Sequence, residues 1–258
     1  MTALHHRIWG NDAAPPVVLL HAIGTSSAMW TPQLLSWGSR FRIITLDLPG
    51  HGGSTLPPSD ATFGDYAASV AATLEQLGIR SAAVVGLSFG SMVAMRLAYD
   101  CPDLVSSLVL ANGVAIAPPP VRRAWAERIA TVQTGGMSAI VAGTLERWFT
   151  PAFAAAAPMT VEAVGNLVRA TRPDGFCAAA QAIATLDQTA LLGAIGCPTL
   201  VVAGSKDAAA PPEQVADIAR AIPGARLIEL DAPHMSNIEC ADAFSEGVGA
   251  FLSEVTGQ

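Results

Sequence analysis

Gly86-Leu87-Ser88-Phe89-Gly90 constrains this chain more than any other segment. It follows Ala82-Ala83-Val84-Val85, an apolar run that reads as a buried strand, and precedes an apolar stretch from Met92 that reads as a helix. A serine between two glycines at a strand-to-helix junction fits a nucleophile elbow. That turn is sharp enough to strain the serine backbone and project its hydroxyl. A Cβ at Gly86 or Gly90 would crowd the neighbouring strand or helix. The segment therefore calls for a strand, a tight turn and a helix in immediate succession.

A serine hydroxyl is a weak nucleophile until a nearby base takes its proton. Two later segments supply candidates in the order acid, then histidine. Asp207 lies just beyond the apolar run Thr199 to Ala203, in Gly204-Ser205-Lys206-Asp207. His234 follows another strand-like run, Ala225 to Leu230, and precedes a final helix around Ala241 to Leu252. The imidazole needs a carboxylate to hold its tautomer and stabilise its charged form. Ser88, Asp207 and His234, each just past a strand, would converge on one edge of a parallel sheet. Asp231 is the rival acid, though three residues before His234 it reads as the end of a strand. Ser54 and Ser91 are rival hydroxyls without an elbow, and His51, in the turn-rich Leu48-Pro49-Gly50-His51-Gly52-Gly53, is the rival histidine.

An oxyanion site completes the set. His21-Ala22-Ile23-Gly24-Thr25 directly follows the strand-like Val17-Val18-Leu19-Leu20. In this arrangement the loop supplies one backbone N–H and the residue after the nucleophile supplies the other, which assigns Ile23 and Phe89. His21 reads as a side chain that braces the loop.

Strand-like and helix-like segments alternate from Val17 to Ala111, with Arg42 to Leu46 a strand and Phe63 to Leu77 an amphipathic helix. This is the rhythm of a mostly parallel sheet flanked by helices, an α/β fold. From about Ala115 to Ile195 the rhythm gives way to helix-like segments behind Pro118-Pro119-Pro120, and strands resume at Thr199. The expected division is residues 1–114 as the first part of the core, 115–195 as a helical cap over the catalytic edge, and 196–258 as the rest of the core. A chain of 258 residues that is 51% hydrophobic and 14% charged suits one well-buried domain. A net charge of −7 leaves no basic footprint, which argues against a nucleic-acid partner and requires any anion recognition to be local. No apolar run has membrane-spanning length, and the opening Met1-Thr2-Ala3-Leu4-His5-His6-Arg7 lacks a signal peptide's apolar stretch, so a cytoplasmic location without membrane partners is expected. His5-His6 reads as exposed terminus. Cys101, Cys177, Cys197 and Cys240 are scattered and read as free thiols; the histidines show no metal-ligand spacing. Nothing in the sequence fixes an oligomeric state.

Taken together, these motifs resemble the α/β-hydrolase superfamily over nearly the whole chain, and within it the 3-oxoadipate enol-lactonases. The narrower resemblance rests on His21 to Thr25 with Met29-Trp30, on Leu110-Ala111-Asn112, and on Arg147-Trp148-Phe149-Thr150. Gly224-Ala225-Arg226 and His234-Met235-Ser236-Asn237-Ile238-Glu239 extend it. Phe89, Ser91 and Gly113 depart from that family and bear on which lactone is used. The resemblance implies a carboxylic ester hydrolase that needs no cofactor and opens a small anionic lactone or ester in aromatic catabolism, the β-ketoadipate pathway. A carboxylesterase or a C–C bond hydrolase of a ring-cleavage pathway would use the same triad under a different cap. A ligand-binding sensor on the same scaffold is the non-enzymatic alternative. The lactone's free carboxylate needs a cation. Trp125 and Arg128 stand one helical turn apart, a pairing similar to one in that family, and Arg147-Trp148 is the second candidate. The other reading of Arg128 is a surface ion pair, with Trp125 in the core of the cap.

Overall fold

The computed structural model describes residues 3–257; Met1-Thr2 of the opening segment lies outside the described residues. Seven strands form one sheet: β1 (His6–Trp9), β2 (Pro16–Leu20), β3 (Arg42–Leu46), β4 (Ala82–Leu87), β5 (Val105–Ala111), β6 (Thr199–Gly204) and β7 (Arg226–Leu230), in the order β1-β3-β2-β4-β5-β6-β7. All neighbours are parallel except β1 and β3. The central strands β4 and β6 are buried along their whole length, as continuous apolar runs covered by helices on both faces should be.

The helices are α1 (Thr31–Trp37), α2 (Phe63–Gln76), α3 (Phe89–Asp100), α4 (Pro119–Gly135), α5 (Val141–Trp148), α6 (Pro151–Ala156), α7 (Pro158–Ala170), α8 (Pro173–Ala184), α9 (Thr189–Leu192), α10 (Pro212–Ala221), α11 (Ser236–Glu239) and α12 (Ala241–Thr256). In α2 the buried residues Phe63, Tyr66, Ala67, Val70, Thr73 and Leu74 recur at helical spacing on one face. Thr62 and Asp65 form a reciprocal capping box that starts this helix. Helices α4 to α9 all lie between β5 and β6. Proline occupies the first turn of α4, α6, α7 and α8, where its missing N–H costs nothing.

The structure departs from the sequence reading at several ends. His6 is not part of a free terminus; it opens β1, and His5 Nδ1 meets Asp47 Oδ2 at 2.8 Å. The helix after the elbow starts at Phe89 rather than Met92, and β7 starts at Arg226 rather than Ala225. The last helix runs on to Thr256, while α2 stops at Gln76. Among the described residues no helix is long and apolar enough to cross a membrane.

Candidate active site

Parallel strands deliver their following loops to one edge of the sheet. Here His21, Ser88, Asn112, Asp207 and His234 follow β2, β4, β5, β6 and β7 at that edge. Ser88 sits between β4 and α3 with φ 57 and ψ −116, a conformation L-residues rarely adopt. Its N–H donates to the Ala111 carbonyl across 2.9 Å, tying the turn to β5. A Cβ on Gly90 would run into the Leu20 and His21 carbonyls, so only glycine allows α3 to leave the elbow so close to β2.

His234 Nε2 lies 2.9 Å from Ser88 Oγ, and His234 Nδ1 lies 2.8 Å from Asp207 Oδ2. With Nδ1–H donating to the carboxylate, Nε2 is left to accept the serine proton. Asp207 is held on every side: Asn112 Nδ2 donates to Oδ2 at 2.9 Å, and the Ala209 and Ala210 N–H groups donate to Oδ1 at 2.8 and 2.9 Å. Burial alone would raise this carboxyl's pKa. The His234 ring and the converging donors outweigh burial and hold it below the usual carboxylate range.

The rival residues lie elsewhere. Asp231 is exposed and paired with Lys206 at 2.8 Å. Ser54 Oγ donates to the Asp47 carbonyl, and Ser91 Oγ is buried without a hydrogen-bond partner among the described residues. His51 is fully buried, its ring 5.1 Å from that of His21, and burial pulls its pKa down to about 3. His21 Nε2 accepts the Leu48 N–H at 2.9 Å and Nδ1 meets the Ala22 carbonyl at 2.8 Å, which braces the loop carrying Ile23.

Ile23, Ser88, Asn112, Trp125, Arg128, Arg147, Trp148 and His234 line one cavity. A larger groove beside Glu75, Arg80 and Asp103 lies where the chain enters β4 and β5, and Ser88, Asp207 and His234 take no part in lining it. Phe89 opens α3, so its N–H has no carbonyl partner within the helix. Its ring packs into the core against Tyr66 and Phe63. Arg128 is not in a surface ion pair. Its guanidinium lies 4.6 Å from the Trp125 ring and 5.7 Å from the Phe176 ring, and Nη2 donates to Thr144 Oγ1 at 2.9 Å. Its Nε is buried without a partner. Burial, then the charge of Arg147, pull Arg128 down to about 9. Burial also lowers Arg147. Trp148 stacks on His234 with ring centroids 6.2 Å apart.

The sequence reading named Asn112 within the resembling motif Leu110-Ala111-Asn112 but gave it no role. Besides holding Asp207 it accepts a hydrogen bond from Ser236 Oγ, with its own backbone at φ 49. An Asn directly after a buried strand, tolerant of the left-handed region, was the available signal.

The sheet order, the elbow and the placement of the insertion between β5 and β6 define an α/β-hydrolase. A family model described as alpha/beta hydrolase fold matches residues 15–160, and the chain belongs to that family. The nearer likenesses are hydrolases too. The crystal structure of an enol-lactonase from Burkholderia xenovorans LB400 is 35% identical, with a TM-score of 0.94 over 97% of this chain and 96% of that one. A hydrolase from Pseudomonas aeruginosa PA01 is 37% identical, with a TM-score of 0.92 over 96% of this chain and 93% of that one. By sequence, 3-oxoadipate enol-lactonase 2 of Acinetobacter baylyi is 29% identical over 253 residues, 97% of this chain and 93% of that protein. The chain is a hydrolytic enzyme that resembles the 3-oxoadipate enol-lactonases.

Proposed function

We propose that this enzyme opens a small enol-lactone bearing a free carboxylate, of the 3-oxoadipate type, through Ser88, His234 and Asp207. One observation carries the substrate class: Arg128 and Arg147 reach the same cavity as Ser88, and neither makes an ion pair among the described residues. A partly buried cation without an acidic partner is costly, so a site that keeps such a cation in one cavity with its nucleophile is suited to an anion. Trp125 would wall the lactone ring while Arg128 meets the carboxylate, with Arg147 and Trp148 closing the other side.

Ser88 Oγ attacks the lactone carbonyl as His234 Nε2 takes its proton. The Ile23 and Phe89 N–H groups hold the oxygen that becomes negative, often the largest single electrostatic contribution. Collapse of the tetrahedral adduct breaks the ring C–O bond. The ring oxygen leaves as an enolate, a better leaving group than a simple alkoxide, and His234 returns the proton to it. The leaving group stays tethered to the acyl chain, so re-closure competes until the enol becomes a ketone. Water, deprotonated by His234, then attacks the acyl-enzyme and releases a second carboxylate along with Ser88. Ser88 and His234 are only 6% and 4% exposed, which keeps bulk water from screening these charges.

Turnover on a panel of carboxylated enol-lactones, simple lactones, aryl esters and ring-cleavage diketones tests the proposal. The carboxylated enol-lactone should give the highest kcat/KM. Preference for a neutral ester or a diketone would replace the proposal with an esterase or a C–C hydrolase, and absence of multiple turnover on every member would leave a binding protein.

A further inference from the structure

The end of α5 is fastened to the loop that carries His234. Glu239, at the end of α11, receives both donors of Thr150: the N–H reaches Oε2 at 2.9 Å and the hydroxyl reaches Oε1. The Met235 N–H donates to the Trp148 carbonyl at 3.2 Å. Thr150 Oγ1 also accepts the Phe153 N–H at 3.2 Å, so the same residue starts α6. Between these anchors, Trp148 lies against the His234 ring and Arg147 faces the cavity. One turn earlier on α5, Thr144 holds Arg128. A single short helix therefore touches both cavity arginines, the histidine ring and the loop behind it.

We infer that Glu239 is a positioning residue: by holding Thr150 it fixes α5 against the loop of His234, so that the arginine end of the cavity and the histidine keep one relative placement. This rests on the function proposed above, since the arginines matter only for an anionic substrate. A carboxylate with both oxygens engaged by one residue's N–H and hydroxyl forms a directional, charge-assisted clamp. Without it, α5 is tied to the histidine loop, among the described residues, by the Met235 to Trp148 bond and the stacking of Trp148 on His234. A displacement of about 1 Å at a reacting group can cost on the order of a hundredfold in rate.

The test compares Glu239→Ala, Thr150→Val and Thr150→Ser on a neutral aryl ester and on a carboxylated enol-lactone. It also measures the rate at which a phosphonylating reagent labels Ser88. Glu239→Ala should lower kcat on the neutral ester by about tenfold or more and slow the labelling in proportion. With the lactone its KM should rise as well, because Arg147 shifts. Thr150→Val should fall between, and Thr150→Ser, which keeps both donors, should recover most of the loss. The double variant Glu239→Ala/Thr150→Val should be no worse than Glu239→Ala, as expected for residues acting through one contact. A Glu239→Ala enzyme that melts earlier yet keeps its kcat and labelling rate would overturn the inference. If Glu239→Ala does not fold, the Thr150 pair decides: equal kcat for Val and Ser overturns it. Arg128→Ala separates the two readings. A slow Glu239→Ala enzyme, together with Arg128→Ala acting equally on ester and lactone, upholds the clamp and removes the anionic substrate. The opposite pattern removes the clamp alone.

Discussion

Replacing Arg128 by methionine should make the protein more stable and a worse enzyme. Arg128 is partly buried, lacks an acidic partner among the described residues, and is pulled down to about 9 by burial and by Arg147. Measured from the ordinary guanidinium range above about 12, at about 1.36 kcal/mol per pH unit, holding this charge costs on the order of 4 kcal/mol. The cost is fully present below pH 9, where folded and unfolded chains both carry the proton, and fades only above it. Methionine gives up the hydrogen bond to Thr144, worth about 1 kcal/mol, and the cation–π contacts with Trp125 and Phe176, worth about 1 kcal/mol. A net stabilisation of about 2 kcal/mol remains at neutral pH, which for a chain of this length raises Tm by about 4 °C. Calorimetry reads that shift. Adding adipate, a dicarboxylate, should raise Tm of the wild type and leave Arg128→Met unmoved, because a ligand stabilises only the form that binds it. Hydrolysis of a carboxylated enol-lactone should lose about a hundredfold in kcat/KM, the value of a charge-assisted contact near 3 kcal/mol, while a neutral aryl ester is spared. A lower Tm with equal losses on both substrates would refute the reasoning and make Arg128 a support of the cap.

Ser88→Ala should abolish turnover by several orders of magnitude while preserving the fold. Mass spectrometry after phosphonylation of the wild type should place the adduct on Ser88; an adduct on Ser91 or Ser54 would move the nucleophile. Asp207→Asn should lose kcat by about ten-thousandfold through a misoriented His234, whereas Asp231→Asn at its exposed ion pair should be mild; the reverse ranking would exchange the acids. His51 is held neutral by burial, with its pKa near 3, so the unfolded chain takes up a proton below about pH 6.5 that the folded chain refuses. Its stabilising contribution is whole above pH 6.5 and drains away as pH falls toward 3. His51→Asn should flatten the fall of the unfolding free energy between pH 6.5 and 4, read from denaturant melts, by about 1.4 kcal/mol per pH unit; identical slopes would exclude His51 as the source.

Much of this arrangement was written in local sequence. Gly86 and Gly90 mark the elbow because two backbones pass where a Cβ would sit, and the run before Asp207 is apolar because β6 is buried throughout; β7, before His234, is a mostly exposed edge strand that carries Arg226 and Glu229. The strand β1 left no such trace. It is an edge strand with only partial burial at His6 and exposure at Arg7 to Trp9, so its sequence carries no alternation. Asn112 and Glu239 entered only as members of the resembling motifs, with no role assigned, for a different reason. Each acts through partners about ninety residues or more away, Asn112 on Asp207 and Ser236, Glu239 on Thr150, and no local pattern encodes such a contact. The spacing of Trp125 and Arg128 suggested their pairing, but the lack of an acid facing Arg128 emerges only once α5 and α8 are folded over it.

The stretch of chain that covers the site has a narrow base. Gln188 N–H donates to the Ala115 carbonyl at 2.8 Å and Ala117 N–H to the Leu186 carbonyl at 2.9 Å, with Ile116 and Asp187 paired between them. These contacts are made by backbone alone, so they do not depend on which side chains occupy the stem. The sheet beneath therefore sees two adjacent chain ends already joined, so a longer segment beyond the stem would add little loop-closure entropy. Any graft that is to leave the histidine in register must bring a hydroxyl and an N–H of its own to meet Glu239.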